Sequence, residues 1–285
     1  MKLTRRQLGA LAMAAGASTA LSSLARAQSG GTLAKIRETG KVTVGTEAAF
    51  PPFEFVDDSG QIVGYGKDIL DVVIAELDVE LEQLDLPWQG IVPGLLAGNF
   101  DFVATTVSIN EERAKKYAYT VPIANGQPYI MTRKGEAVET EDGLAGKLVG
   151  TQLASSAEPI AKAVDEKLKS AGAGFKELKL YTAYTDCYTA LASGEIDAVI
   201  QSLPSLAVLV KEHPDVFEVA APIETGVQWT YQAWVTRPED ADLRDFISSV
   251  ILKMRDDGRL YALQEKWFGF KMEIPDTGYL PPSAV

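Results

Sequence analysis

Leu95-Leu96-Ala97-Gly98-Asn99-Phe100-Asp101-Phe102-Val103 and Leu191-Ala192-Ser193-Gly194-Glu195-Ile196-Asp197-Ala198-Val199 share one layout. In each, an apolar helical stretch ends at a glycine, the residue that most readily takes the positive φ of a helix C-terminus, and a buried strand then opens with aspartate. Such joints occur in any α/β chain, so the match gains weight only from its surroundings. Upstream, Lys41-Val42-Thr43-Val44-Gly45-Thr46 alternates and is β-branched, which predicts a strand. Helical spacing over 69–77, a strand over 81–86, a helix over 89–96 closed by Gly98 and a strand over 101–105 follow. Strands alternating with helices predict mostly parallel sheets joined by crossover helices. A fresh β–α series from Lys147 to Val199 makes the second motif the counterpart of the first, so we expect two similarly built lobes.

The chain has 285 residues, 46% hydrophobic and 23% charged, enough for two lobes of ordinary domain size. Its 24 glycines and 14 prolines exclude collagenous and low-complexity classes. The single cysteine, Cys187, permits neither an intramolecular disulfide nor a cysteine-built zinc site, and its helical spacing predicts a buried, inert thiol. His213, the one histidine, stands before Pro214 and reads as a surface residue, leaving Ser-His-Asp chemistry without a second candidate. A formal charge of −12 argues against nucleic acid as a partner, since phosphate binding needs clustered Lys and Arg.

Residues 1–27 carry Lys2, Arg5, Arg6 and Arg26 and no acid, and their apolar run from Leu8 to Leu21 leads to Ala25-Arg26-Ala27. That order of basic head, apolar centre and small-x-small end predicts a cleaved export signal, with the mature chain starting at Gln28. A run of about 14 residues spans roughly 21 Å as helix, short of a ~30 Å hydrocarbon core. Thr4-Arg5-Arg6-Gln7-Leu8 also resembles a twin-arginine motif, which would mean export after folding. No cysteine stands at the cleavage point, so no lipid anchor is expected, and no later apolar stretch reaches membrane-spanning length, so no direct membrane insertion is expected.

Tyr129-Ile130-Met131-Thr132 and Trp229 to Val235 read as extended, and a chain that enters one lobe and returns needs two crossings, so these are the candidates for a two-strand hinge. Helices are predicted at 32–39, 242–254 and 259–266. In open α/β sheets ligands sit beyond the carboxyl ends of strands. There Thr105, Thr106 and Ser108 precede Asn110-Glu111-Glu112-Arg113, a helix start whose arginine fork matches a carboxylate. The same residues would also suit plain N-capping beside a solvated arginine. Ser155, Ser156 and Glu158-Pro159 offer a second helix start, in which Ser155 with Glu158 fits a capping box. Two such anion-favouring starts suggest one ligand between them. Phe50 and Trp88 read as loop aromatics, either cleft walls or ordinary core, and Glu47 meets either a cationic group or water. Gly143-Leu144-Ala145-Gly146-Lys147 is too short for a phosphate loop, and Asp57-Asp58 and Asp256-Asp257 read as turns without metal-ligand spacing. No cofactor is called for.

Val44 to Phe55, with Phe50-Pro51-Pro52-Phe53 inside it, then Gly64-Tyr65-Gly66-Lys67-Asp68-Ile69, Trp88-Gln89-Gly90-Ile91-Val92-Pro93-Gly94-Leu95, Phe100 to Arg113 and the closing Gly258-Arg259-Leu260 to Lys266-Trp267-Phe268-Gly269 stand in one order. The ordered set resembles the family 3 extracellular solute-binding proteins, polar amino-acid receptors of ABC importers, over nearly all of 33–270. The resemblance implies a two-lobed α/β periplasmic-binding-protein type II fold, an exported monomeric receptor in the periplasm and ligand-induced closure. It also implies an inner-membrane ABC permease as partner and no enzymatic activity. The expected division is 1–27 signal, 28–126 with 230–285 as lobe 1, and 127–229 as lobe 2. By position, Arg113 resembles the family's carboxylate-binding arginine, with Thr105, Thr106 and Ser108 beside it and Ser155 and Ser156 facing it from lobe 2. Phe50 and Trp88 resemble the walls around the ligand's side chain, and Glu47 the acid that meets cationic side chains. One departure stands out: Ser202 occupies the place of the family's ammonium-binding aspartate. A hydroxyl neutralises no charge, so either Glu47 takes the ammonium or the ligand carries a modified or quaternary nitrogen, as in an opine, a betaine or an ectoine-like solute. An aromatic wall would hold such a cation at ~0.5–2 kcal/mol per ring. The rival readings are a dehydratase-type enzyme on the same scaffold, for which Glu47 is the one obvious acid, and the sensing domain of a signalling receptor, which would need an anchor beyond Pro281-Pro282.

Overall fold

In the computed structural model the described residues are 31–285 apart from Ala137 and Trp229; the expected export signal lies outside them. Along the chain come α1 (Thr32–Thr39), β1 (Lys41–Thr46), β2 (Ala49–Phe50), β3 (Glu54–Val56), β4 (Ile62–Val63), α2 (Tyr65–Leu77), β5 (Glu80–Asp85), α3 (Trp88–Leu96) and β6 (Phe102–Ser108). Next are α4 (Glu111–Ala114), β7 (Ala118–Tyr119), β8 (Ala124–Asn125), β9 (Pro128–Arg133), β10 (Leu148–Gln152), α5 (Ala157–Ser170), β11 (Glu177–Tyr181) and α6 (Tyr184–Ser193). The chain closes with β12 (Ala198–Ser202), α7 (Leu203–Glu212), β13 (Phe217–Pro222), β14 (Tyr231–Thr236), α8 (Ala241–Asp256) and α9 (Arg259–Phe268).

Two sheets build two lobes. The first runs β5-β1-β6-β14-β7 with β8 also on β14, the second β11-β10-β12-β9-β13. Three strands at one side of each are parallel, β5-β1-β6 and β11-β10-β12, and antiparallel strands complete both. Each lobe is thus parallel only in its β–α half. Both expected hinge segments fall mainly within sheets: β9 lies inside the second sheet, and Tyr231 to Val235 belong to β14 of the first. The chain crossings themselves run side by side at Asn125–Gly126 and Thr230–Tyr231, where Gly126 N donates to Thr230 O at 2.5 Å and Asn125 pairs with Tyr231.

The repeated motif holds both lobes by one device. Asp101 donates its N–H to Thr43 O at 2.8 Å and accepts Thr43 N–H on its carboxylate at 2.9 Å. Asp197 does the same with Leu148, at 2.7 and 2.8 Å. The residue before each aspartate packs over the glycine of the middle strand of the lobe's parallel set: a Cβ on Gly45 would lie 2.7 Å from the Phe100 ring, and one on Gly150 2.4 Å from Ile196. Gly98 and Gly194 sit at φ +76° and +80°, the left-handed turn that reverses each helix into its strand. Buried side chains fill the space between sheet and helices, among them Trp234, Phe53, Tyr65 and Phe102 in the first lobe and Ile130, Val149 and Val164 in the second.

Three local expectations are corrected. Thr105 to Ser108 are the second half of β6, not a loop beyond it, because Val107 and Ser108 pair with Ala233 and Gln232 of β14. Trp88 opens α3 and Phe50 lies in the short strand β2, so neither is a loop residue. Ser155 and Glu158 form no capping box: Glu158 accepts from Ala154 N at 2.7 Å, while Ser155 accepts from the Tyr184 hydroxyl at 3.2 Å. Cys187 is buried and His213 exposed, as their sequence positions predict.

Removing either aspartate carboxylate orphans a backbone N–H. Asp101→Ala and Asp197→Ala should each lose about 1–3 kcal/mol, while Asn at either position, which keeps an acceptor, should recover most of it. Urea midpoints at unchanged slope check this; an Ala variant as stable as the parent would show that the clamp contributes nothing.

Candidate functional site

The carboxyl ends of both parallel strand sets face one cleft, and most of the candidate site residues stand on or just beyond them. Glu47 follows β1, Trp88 follows β5, and Thr106 and Ser108 end β6. From the other lobe Gln152 ends β10, Ser155 and Ser156 precede α5, Tyr184 begins α6 after β11, and Gln201 and Ser202 end β12. Strand alternation sorts the hydroxyls of β6. Thr106 and Ser108 share the cleft face, whereas Thr105 points the opposite way and donates to Glu54 at 2.9 Å. Thr105 is therefore not brought to the cleft.

Glu47, Phe50, Trp88, Thr106, Ser108, Arg113, Ser155 and Ser156 enclose one inner cavity with Gln152, Tyr184, Gln201 and Gln232. Its volume is about 30 Å³, space for little more than water. The lobes meet directly around it. Arg113 Nη2 donates to Ala154 O across the cleft at 3.0 Å, and Nη1 reaches Ser108 O at 3.4 Å. The guanidinium carbon lies 5.3 Å from the centre of the Trp88 ring, whose Nε1 also donates to Ala154 O at 3.0 Å. Asn110 caps the turn that carries Arg113, accepting from Arg113 N at 2.8 Å. Ser156 Oγ donates to Ser108 Oγ at 2.8 Å, Gln89 reaches Thr182 O at 3.1 Å, and Gln152 donates its amide to Glu47. Phe50 packs on Tyr184 with ring centres 5.8 Å apart.

Among the described residues, Arg113 is the one basic side chain lining the inner cavity and Glu47 the one acidic one. Burial pushes the Glu47 carboxyl from its ordinary 4.5 up to about 7, the Gln152 amide opposing and Asp85 adding to the rise. Beneath it Glu54 is fully buried and held well above the carboxylate range, first by burial and then, against the Thr105 hydrogen bond, by the nearby Glu47 charge. Thr106 Oγ1 and Gln232 Oε1 are buried with no hydrogen-bond partner among the described residues. A second chamber of about 340 Å³ adjoins the cavity, and Ser202 lines this chamber and not the inner one. Among the described residues no group of three or more His, Cys, Asp or Glu is placed to hold a metal. No described helix is long and apolar enough to cross a membrane.

Sequence reasoning missed Gln152, Tyr184, Gln201 and Gln232. Gln152 and Gln201 end the strands before already suspected segments, so strand-end position could have found them; Gln232 carries no such signal.

The model of the bacterial extracellular solute-binding proteins, family 3, matches residues 42–270. The chain belongs to this family. It is similar to the L-cystine-binding protein TcyJ of Escherichia coli K12, 31% identical over 243 residues, which are 84% of this chain and 86% of that one. It is also similar to a probable amino-acid ABC transporter-binding protein of Haemophilus influenzae, 25% identical over 245 residues, 83% of this chain and 88% of the relative. Among solved structures, an ancestral arginine-binding protein bound to arginine superposes with a TM-score of 0.72 at 30% identity, covering 81% of this chain and 99% of that one. The two-lobed type II fold of this solute-binding family is thus shared along most of the chain.

Because its native pKa exceeds the unfolded one, Glu47 binds a proton in the native state that the unfolded chain has released between pH 4.5 and about 7. Its contribution to stability is full below 4.5 and is lost as pH rises to about 7. Relative to Glu47→Gln, the parent should therefore weaken over that window by about 3 kcal/mol at most, and no further above it. Paired urea titrations from pH 4 to 8 measure this, and curves that stay parallel would refute the buried carboxyl.

Proposed function

We propose that this protein is the periplasmic substrate-binding protein of an ABC importer and binds an amino acid or amino-acid-like carboxylate between two closing lobes. The observation that carries the reading is Arg113, half-buried in the cleft between carbonyls of both lobes, over Trp88 and beside the Ser108 and Ser156 hydroxyls. A guanidinium keeps five donors, so a ligand carboxylate can take a bidentate pair from it while small hydroxyls satisfy the remaining lone pairs. Ser156, Gln152 and the Ala154 carbonyl reach the site only from the second lobe. Those contacts exist only when the cleft is shut, and such differential contacts are what let a ligand shift an open–closed balance. The division into 28–126 with 230–285 and 127–229, export by the N-terminal signal and the permease partner belong to the same proposal, as does a monomeric, non-enzymatic receptor.

A second reading is favoured by one wall. Where the family resemblance would put an aspartate, Ser202 presents a hydroxyl hydrogen-bonded to Gln201 Oε1 at 3.1 Å, so that wall holds no charge for an ammonium. A ligand with a modified or quaternary nitrogen would meet no unpaired acid there.

Arg113→Ala should weaken binding at least about tenfold, since a charge-assisted hydrogen bond contributes ~1.5–3 kcal/mol and tenfold is ~1.4. Calorimetry against an amino-acid panel reads it, and undiminished affinity would reject the assignment. Ser202→Asp separates the two ligand classes: binding of a free α-amino acid should hold or improve, whereas a quaternary-nitrogen ligand should gain little. Mass spectrometry of the panel after overnight incubation should show every ligand intact; turnover beyond one equivalent would instead favour an enzyme.

A further inference from the structure

The inner cavity and the larger chamber share Ser108, Ser156, Tyr184, Gln201 and Gln232 as lining, so they are two compartments of one cleft. Their sizes are unequal. About 30 Å³ lies on the Glu47 side, already crossed by the Gln152–Glu47 hydrogen bond, and about 340 Å³ on the Ser202 side. A ligand whose carboxylate is anchored at Arg113, Ser108 and Ser156 therefore has room to extend past Gln232; a further chamber of about 380 Å³ lies on the Trp88 and Arg113 side, but its lining carries the charged Glu112, Lys116, Glu158 and Lys162. The Gln232 side chain is fixed for that passage: it packs so closely on the backbone of Gly126 that a Cβ there would lie 2.4 Å from its Cδ. Its Nε2 reaches Ser108 Oγ at 3.4 Å, and its Oε1 is left buried without a partner among the described residues.

We propose that the chamber beside Ser202 is a second ligand subsite that takes an uncharged, hydrogen-bonding extension of the bound carboxylate, with Gln232 Oε1 accepting from it at the threshold. This inference rests on the carboxylate reading of Arg113. An unpartnered buried amide oxygen is costly, so a ligand N–H or O–H placed against it recovers a hydrogen bond that water cannot supply as well. Beyond the threshold the polar lining is neutral: Gln201, Ser202, Gln228 and Thr230, with no Lys or Arg, and with the exposed Glu112 as the sole charged side chain. A second carboxylate there would lose hydration without gaining a cation. The extension is therefore an amide-, hydroxyl- or urea-type group, of the length of a long polar amino acid and without a terminal acid.

L-serine, L-glutamine and L-glutamate test this, because glutamine and glutamate differ in charge at one length and serine stops short of the chamber. Two variants fill the chamber from opposite walls without touching the inner cavity: Ala163→Trp on α5 and Gln228→Trp in the segment before β14. By calorimetry the parent should bind glutamine at least about tenfold more tightly than either serine or glutamate. Both tryptophan variants should lose about tenfold or more for glutamine while serine stays within about twofold, which also reports that they fold. Glutamine affinity unchanged in both variants overturns the subsite, and glutamate binding as tightly as glutamine overturns its neutral chemistry. If Arg113→Ala spares glutamine but the tryptophan variants weaken it, the carboxylate assignment fails and the chamber stands as a site. If none of the three amino acids binds the parent, the subsite reading falls, and the carboxylate reading is decided separately by Arg113→Ala against the wider panel.

Discussion

A guanidinium held between the carbonyl of Ser108 in one lobe and that of Ala154 in the other is the contact on which the cleft is organised. Arginine suits the place because its planar fork stays charged and is weakly hydrated, so partial burial over an indole costs less than burying an ammonium would. Its position is over-determined by local structure. Asn110 caps the short turn, β6 delivers Ser108 alongside, and α3 presents Trp88 as a floor whose own N–H shares the Ala154 carbonyl. Lysine could keep the charge but could not make the two-carbonyl span and face the ring at once. The fold exists, in this sense, to bring two sets of strand ends to the same few ångströms.

That the fold was legible from the sequence follows from its redundancy. Each lobe carries the helix–glycine–strand joint, and each joint's aspartate clamps the neighbouring strand through both its amide and its carboxylate. Local chemistry repeated twice leaves a pattern that needs no knowledge of long-range pairing. What depends on long-range pairing was not legible. The strand β6 runs on to Ser108 because β14, far along the chain, supplies its hydrogen bonds, and only that pairing decides which of Thr105 and Thr106 faces the cleft. Ser155 looked like a cap because its spacing to Glu158 is right; the competitor that won is Tyr184, whose hydroxyl claims Ser155. The glutamines are harder to read for another reason: strand-end position marks 152 and 201, but nothing local marks 232. A neutral amide has no characteristic spacing, and its meaning lies entirely in which partner it finds.

The acids of the first lobe show how a cleft can hold charge without exposing it. Glu47 and Glu54 are both buried, burial raises the proton affinity of each, and the Glu47 charge raises that of Glu54 further. Thr105, withdrawn from the cleft, is spent on Glu54, while Gln152 reaches over from the second lobe to Glu47. An amide donor is the partner that suits a carboxyl near neutrality in either protonation state, since its oxygen can also accept once the carboxyl is protonated. The Gln152–Glu47 contact between the lobes thus does not require Glu47 to be charged.

Neutrality of the opposing wall then has a consequence for selectivity. An aspartate at position 202 would reward any ammonium strongly and nearly regardless of what else the ligand carried. With Ser202 hydrogen-bonded to Gln201, and Gln201 in turn donating to Tyr188 at 3.3 Å, that wall is already satisfied internally and offers a ligand little by default. On the proposed reading, discrimination would shift to groups whose partners are missing among the described residues, the Gln232 side-chain oxygen and the Thr106 hydroxyl. A site built from unmet neutral hydrogen bonds rejects a ligand that lacks the matching group more sharply than it rejects one of slightly wrong size, because the unpaired protein atom stays buried when the match fails. On that proposed reading the cleft would act as a filter for hydrogen-bond pattern, with Arg113 setting the orientation by charge.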